Sequence, residues 1–222
     1  MIKFPFYDEE DDELLEDVRE PEVLCPKKNI AIFASGSGTD MQSVIDGVKS
    51  GQINGRVRLV VTNKTGIFAI NRARRDAIPC KTFTLKEYGD HETRDKAILE
   101  ELKKYEIDLI VLAGYLSIVT PVIINEYERR IINVHPSLIP KHCGIGYYGM
   151  KVHQSVIKSG DRYSGCTVHF VDSGADTGEI IEQVRVRVAI NDTAESLQKK
   201  VLEQEHILLP KVVAKLCREE IK

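Results

Sequence analysis

Ile30-Ala31-Ile32-Phe33-Ala34-Ser35-Gly36-Ser37-Gly38-Thr39-Asp40-Met41 decides the fold. The apolar start reads as a strand and the Ser-Gly repeat as a tight turn, and Met41, Val44, Ile45 and Val48 then recur at helical spacing. Strand, glycine-rich turn and helix form one α/β unit. From Asn29 onward, apolar runs of strand length keep alternating with helix-period segments, the signature of a parallel sheet flanked by helices. Further strands are expected at Val57–Thr62, near Lys81–Leu85, and at Leu109–Ala113, Ile131–His135, Cys166–Val171 and Glu182–Val188. Helices are expected at Ile67–Arg75, His91–Tyr105, Pro121–Arg129 and Lys151–Ser159. Val184 to Val188 alternates strictly with arginine, so one face of that strand is wet, as on an antiparallel or edge strand. The last helix is announced by Asp192 with Glu195 three residues on, a capping box, and carries Leu197, Val201, Leu208 and Leu209; Pro210 should kink or restart it.

A chain of 222 residues with 42% hydrophobic content can bury a full core in one domain. Five cysteines, Cys25, Cys80, Cys143, Cys166 and Cys217, are odd in number and contain no CxxC pair, which argues against a disulfide framework and a zinc site and suits a reducing, cytoplasmic setting. No apolar run reaches the ~18 residues that cross a bilayer, and the N-terminus lacks the basic start and apolar stretch of a signal peptide. Residues 1–28 hold ten acids against four bases, whereas residues 29–222 hold 24 acids and 27 bases. The first segment is therefore expected to be a flexible, solvated acidic extension, and residues 29–222 the folded domain. A slightly basic body suits anionic small substrates and is too weakly charged to argue for nucleic acid.

Two constellations carry chemistry. The turn before the first helix could cradle a phosphate, because a helix N-terminus presents unpaired N–H groups with partial positive charge. Met41 stands where a dinucleotide-binding loop needs its third glycine, and Asp40 could act as an N-cap that competes with an anion. The second constellation is Asn133-Val134-His135-Pro136-Ser137-Leu138-Ile139-Pro140 together with Asp176 of Ser173-Gly174-Ala175-Asp176-Thr177-Gly178. Asn133 and His135 lie two apart, so on a strand they project to one side, and both could donate to one oxygen. A formyl carbonyl under attack by an amine needs that, because its oxygen becomes negative in the tetrahedral intermediate. Asp176 beside the histidine would keep the ring protonated or relay protons from the amine. The remaining histidines, His91, His142, His153, His169 and His206, show no metal-ligand spacing and read mostly as surface or structural, and Cys143 reads as a free loop thiol.

These motifs carry a family resemblance. From Asn29 to about Cys217 the chain resembles the phosphoribosylglycinamide formyltransferases, folate-dependent enzymes of purine synthesis. It does so through Ala34–Gln42, Leu112–Ser117, Asn133–Pro140, Thr167–Val171, Asp176–Gly178 and Gln204–His206. The resemblance implies a single domain with a mostly parallel seven-stranded sheet and a Rossmann-like N-terminal half. It implies a ribonucleotide site with the phosphate at Gly38, Thr39 and Asp40 and the glycinamide at Glu205. It also implies a folate cleft lined by Leu116, Ser117, Ile118, Val119, Asp172, Ser173, Gly174 and Ala175, and catalysis by Asn133, His135 and Asp176. The expected co-substrate is 10-formyltetrahydrofolate, with no metal, and the partners are small molecules, a homodimer being compatible. Asp40 stands where many relatives have asparagine, Ser117 where they often have arginine, and the stretch 141–150 is longer than in the best-known relatives. Formyltetrahydrofolate hydrolases and methionyl-tRNA formyltransferases share the resemblance but are usually longer by a further domain. A folate- or phosphate-binding regulator without turnover is the alternative outside enzymes.

Overall fold

The computed structural model describes residues 26–221; the acidic extension expected at 1–28 lies almost wholly outside the described residues. The chain order is β1 (Lys28–Ala34), α1 (Thr39–Lys49), β2 (Gly55–Thr62), α2 (Phe68–Arg75), β3 (Cys80–Thr82), α3 (Leu85–Tyr88), α4 (His91–Lys104) and β4 (Leu109–Leu112). There follow α5 (Pro121–Glu126), β5 (Ile131–His135), α6 (Met150–Ser159), β6 (Tyr163–Phe170), β7 (Ile180–Arg187) and α7 (Ala194–Cys217). One seven-stranded sheet runs β3-β2-β1-β4-β5-β6-β7. It is parallel from β3 to β5 and antiparallel at β5-β6 and β6-β7, so the wet-faced β7 is both antiparallel and an edge strand.

The chain order explains the layers. β1, α1 and β2 build outward in one direction, and β4 then returns to the other side of β1, making the reversal of strand order at which open α/β sheets bind ligands. Alternate β1 residues feed two cores: Ile30 and Ile32 join Met41, Val44, Ile45, Leu197, Val201 and Leu209 under α1 and α7, while Ala31 and Phe33 join Ile98, Leu102, Ile123 and Tyr127 under α4 and α5. Helices thus cover both faces of the parallel half, which is why the runs Ile30–Ala34, Leu59–Val61 and Leu109–Leu112 at its centre are apolar.

Four local expectations are corrected. The strand placed near Lys81–Leu85 is only Cys80–Thr82; Thr84 accepts from the Glu87 amide and starts the short helix α3 instead. Asp40 is not the cap of α1: Gly38 is, at φ 71°, a left-handed conformation open to glycine, and a Cβ there would lie 3.0 Å from Ala69. The capping box of α7 is Thr193 with Ser196, one residue later than expected, because Asp192 is drawn to the Ala189 amide and to Lys200. α7 also runs unbroken through Pro210, with Leu208, Leu209, Val212 and Val213 buried around it. Packing on both sides of the proline compensates for the one helical bond its missing N–H removes.

Candidate functional site

The core of the site forms where β5 ends. Ile132 and Val134 point into the α7-side core, so Asn133 and His135 share the opposite face. Antiparallel pairing then sets Asn133 against His169 and His135 against Thr167 on β6. The loop from Val171 to Glu179 leaves β6 opposite the start of β5 and folds back along that face, bringing Asp176 to the pair. Gly178 permits this close return, since a Cβ on it would sit 1.8 Å from the Phe170 carbonyl oxygen. Asp176 itself has φ 57°, a left-handed conformation that aspartate and asparagine tolerate better than most residues.

Asp176 is the hub. Its Oδ2 lies 3.4 Å from His135 Nδ1 and accepts from the Gly144 amide at 2.9 Å, while its Oδ1 accepts from Asn133 Nδ2 at 3.4 Å and lies 3.7 Å from His169 Nε2. Asn133 Nδ2 is also 3.1 Å from His169 Nε2, whose ring is fixed by Nδ1 donating to the Phe170 carbonyl at 2.7 Å. His135 Nε2 donates to the His142 carbonyl at 3.0 Å. Beyond β5 the loop is pinned as well: Ser137 donates to the Lys141 carbonyl and Thr167 to the Ser137 carbonyl, each at 2.6 Å.

The expectation that Asp176 keeps His135 protonated is overturned. His135 is 4% exposed, and its burial depresses the imidazole pKa below its usual value, outweighing the Asp176 charge and the His142 carbonyl, which raise it. The resting ring is neutral at neutral pH. Burial also opposes the charge on Asp176, yet His169, His135 and the Gly144 amide together hold its carboxyl below the ordinary range. Behind them, buried His153 of α6 is pushed down to about 4, first by burial and then by the nearby His135.

A second cluster gathers at the N-terminus of α1. Gly38, Thr39 and Asp40 follow β1, and α7 sets Glu205 and His206 against them; His206 Nε2 stands 3.4 Å from Asp40 Oδ1. Burial pushes the Asp40 carboxyl up to about 6, with His206 acting against it. Glu205, 6% exposed, is raised well above the usual carboxylate range by burial and by the Asp40 charge. No side chain caps α1, and an open hollow runs along the helix from Thr39 through Ser43 and Asp46 to Ser50, with Arg72 and His206 on its walls. Arg72, which the sequence did not single out, donates to the Ser37 carbonyl and adds positive charge beside the turn.

Between the clusters, Ser35 ties the segments together by accepting from the Leu116 amide at 2.8 Å and donating to Asn63 at 2.7 Å. Leu116 and Ile118 are exposed beyond β4, whose last residue, Leu112, pairs with Asn133. Ser117 and Val119 are half-buried beside them. Asp172 closes its own turn by accepting from the Gly174 amide and the Thr177 hydroxyl, which leaves Ser173, Gly174 and Ala175 exposed next to Asp176.

Sequence reasoning missed His169, and it marked the 141–150 stretch by its length but not by its part in the site. Its signal for His169 was available, since an antiparallel partner of Asn133 must share its face; the stretch contributes backbone groups, His142 O and Gly144 N–H, which no side-chain pattern announces. Cys143 donates its thiol to the Pro140 carbonyl, and burial and the Asp176 charge raise its pKa, both of which disfavour the thiolate. Among the described residues no three His, Cys, Asp or Glu side chains converge as a metal ligand set, and no helix is long and apolar enough to cross a membrane.

Residues 28–213 match the formyl transferase family. The chloroplastic phosphoribosylglycinamide formyltransferase of Vigna unguiculata is 42% identical over 200 residues, which cover 90% of this chain and 64% of that protein, so the chain spans just under two thirds of it. The phosphoribosylglycinamide formyltransferase of Escherichia coli (strain K12) is 35% identical, with 84% of this chain and 85% of that protein covered. Glycinamide ribonucleotide transformylase 1 from Geobacillus kaustophilus has a crystal structure that superposes with a TM-score of 0.81 at 37% identity, over 86% of this chain and 99% of that one.

Proposed function

Because the chain belongs to the formyl transferase family, we propose that it transfers the formyl group of 10-formyltetrahydrofolate to the amine of glycinamide ribonucleotide, a step of purine synthesis in a reducing, cytoplasmic setting. The products are formylglycinamide ribonucleotide and tetrahydrofolate. The observation that carries this reading is the convergence of Asn133, His135 and Asp176 on one face of β5, within 3.4 Å of one another through Asp176. The amine attacks the formyl carbon and the carbonyl oxygen becomes negative. Asn133 Nδ2 donates to that oxygen. The neutral ring of His135 gains its proton from the attacking amine as the oxyanion forms, because that new negative charge and the Asp176 carboxylate both favour imidazolium. Collapse breaks the carbon–nitrogen bond to folate, and the proton passes to the leaving folate nitrogen. The folate stands against Leu116, Ser117, Ile118, Val119 and the 172–175 turn, and the ribonucleotide phosphate against the first turn of α1, with Glu205 toward the glycinamide. No metal takes part.

Incubating the protein with both substrates and following tetrahydrofolate release tests the reading. Release that requires the ribonucleotide supports it; release without the ribonucleotide identifies a hydrolase, and binding without release identifies a regulator.

Asp40 gives a pH-dependent prediction. A carboxyl whose pKa is about 6 is charged at pH 8 and largely neutral at pH 5.5. Asp40→Asn should therefore lower the KM for the ribonucleotide about tenfold at pH 8, where it removes a repulsion with the phosphate, and much less at pH 5.5. Comparing the variant with the parent at each pH cancels the phosphate's own titration. An equal effect at both pH values would remove Asp40 from the phosphate site.

A further inference from the structure

The segment between β4 and α5, residues 113–120, belongs to no helix or strand, so its backbone polar groups need partners from elsewhere. Arg94 and Asp95 of α4 supply them. The Arg94 side chain is 0% exposed and that of Asp95 1%. The Arg94 guanidinium donates to Asp95 Oδ1 through both Nε and Nη2, to the Ser117 hydroxyl through Nη1, and to the Ile118 carbonyl through Nη2. The other carboxylate oxygen, Asp95 Oδ2, accepts from the Thr120 amide at 2.7 Å. At its near end the same segment is held by the Leu116 amide on Ser35, and Tyr115 packs edge-on against Phe33 with ring centroids 5.2 Å apart.

We propose that Arg94 is a positioning residue for the formyl-donor cleft, fixing the backbone of Leu116–Thr120 so that Leu116 and Ile118 stand ready for the co-substrate. The inference rests on the reading that this segment lines the folate cleft. Leu116 and Ile118 are 54% and 64% exposed, yet the main chain that carries them is tied to buried charge at the Ile118 carbonyl and the Thr120 amide and to Ser35 at the Leu116 amide. Burying an arginine–aspartate pair costs desolvation and is a poor route to stability alone, whereas it selects one conformation of the loop that both groups bond. A ligand that meets an already ordered loop loses less conformational freedom on binding. A lysine at position 94 keeps the charge facing Asp95 but cannot reproduce the planar fork that reaches Asp95, Ser117 and Ile118 together. Ser117 receives the guanidinium of Arg94 from α4.

The test compares the parent protein with Arg94→Lys and Ser117→Ala by thermal unfolding and by separate KM values for 10-formyltetrahydrofolate and glycinamide ribonucleotide. Arg94→Lys should raise the folate KM ~10-fold and Ser117→Ala ~3-fold, the scale of one or two lost hydrogen bonds. The ribonucleotide KM should stay within about twofold in both, since its cluster shares no bond with Arg94. If Arg94→Lys does not fold, Asp95→Asn measured in the same way decides, because Asp95 holds Arg94 and the Thr120 amide and lines no part of the cleft, whereas Ser117 does. Folded variants with an unchanged folate KM, or with both KM values raised alike, overturn the role of Arg94 while leaving the proposed reaction standing. A parent protein that neither transfers formyl nor binds tetrahydrofolate in calorimetry overturns both.

Discussion

Replacing His135 by alanine is expected to lower turnover ~10²-fold or more, with substrate affinities little changed. Asn133→Ala should have a similar effect, because Asn133 donates to the oxyanion and His135, its Nε2 held by the His142 carbonyl, takes the amine proton, and both roles act in the transition state rather than in substrate binding. The two losses differ in kind. Without His135, the proton released by the amine has no acceptor beside Asp176; without Asn133, the oxyanion loses a donor and His169 Nε2 loses the amide that faces it at 3.1 Å. Neither side chain carries the apolar core, since Ile132 and Val134 on the same strand face the other way. The measurement is kcat and both KM values on variants whose thermal unfolding matches the parent. Near-parental turnover in either folded variant would assign the chemistry elsewhere.

The parts legible in the sequence are those fixed by short-range patterns. Ile30 to Met41 announces strand, turn and helix because buried parallel strands are apolar throughout and a glycine must take the left-handed position ahead of α1. Asn133 and His135 could be paired from their spacing alone, because strand geometry places alternate residues on one face. What was not legible depends on distance along the chain. Asp176 could be set beside His135 from the two motifs, but the fold-back loop that carries it there could not be read, and neither could the bracing of Ser117 by Arg94, which requires α4 to lie over the end of β4. Charge state was the least legible of all. Asp176 next to His135 suggests an imidazolium on paper, but how deeply β5 and β6 bury the ring decides the balance, and burial is a property of the assembled sheet. The acid on Asp40 is the same lesson inverted: local spacing offers a helix cap, whereas packing against α7 turns it into a buried carboxyl facing His206.

Asp176→Asn is expected to shift the His135 titration further below its already depressed position and to cut turnover at neutral pH by ~10² or more. Asparagine suits the test because it keeps the size of the side chain and, like aspartate, tolerates the left-handed backbone at φ 57°. Its amide oxygen can still accept from the Gly144 amide, so the loop has its anchor. What disappears is the charge. Burial lowers the His135 pKa and the Asp176 carboxylate raises it; removing the carboxylate leaves the lowering unopposed except by the His142 carbonyl, so the pKa falls. A ring that is already neutral at rest loses little there. The cost lies in the transition state, where the imidazolium formed by taking the amine proton no longer has a carboxylate 3.4 Å from Nδ1. The acidic limb of the kcat profile should therefore move to lower pH while its plateau drops, a combination that simple loss of folded protein does not give. NMR titration of His135 in parent and variant, alongside both pH–rate profiles, reads the two effects separately. A His135 titration and a rate profile that both stay in place would reduce Asp176 to a turn residue and send the proton by another path.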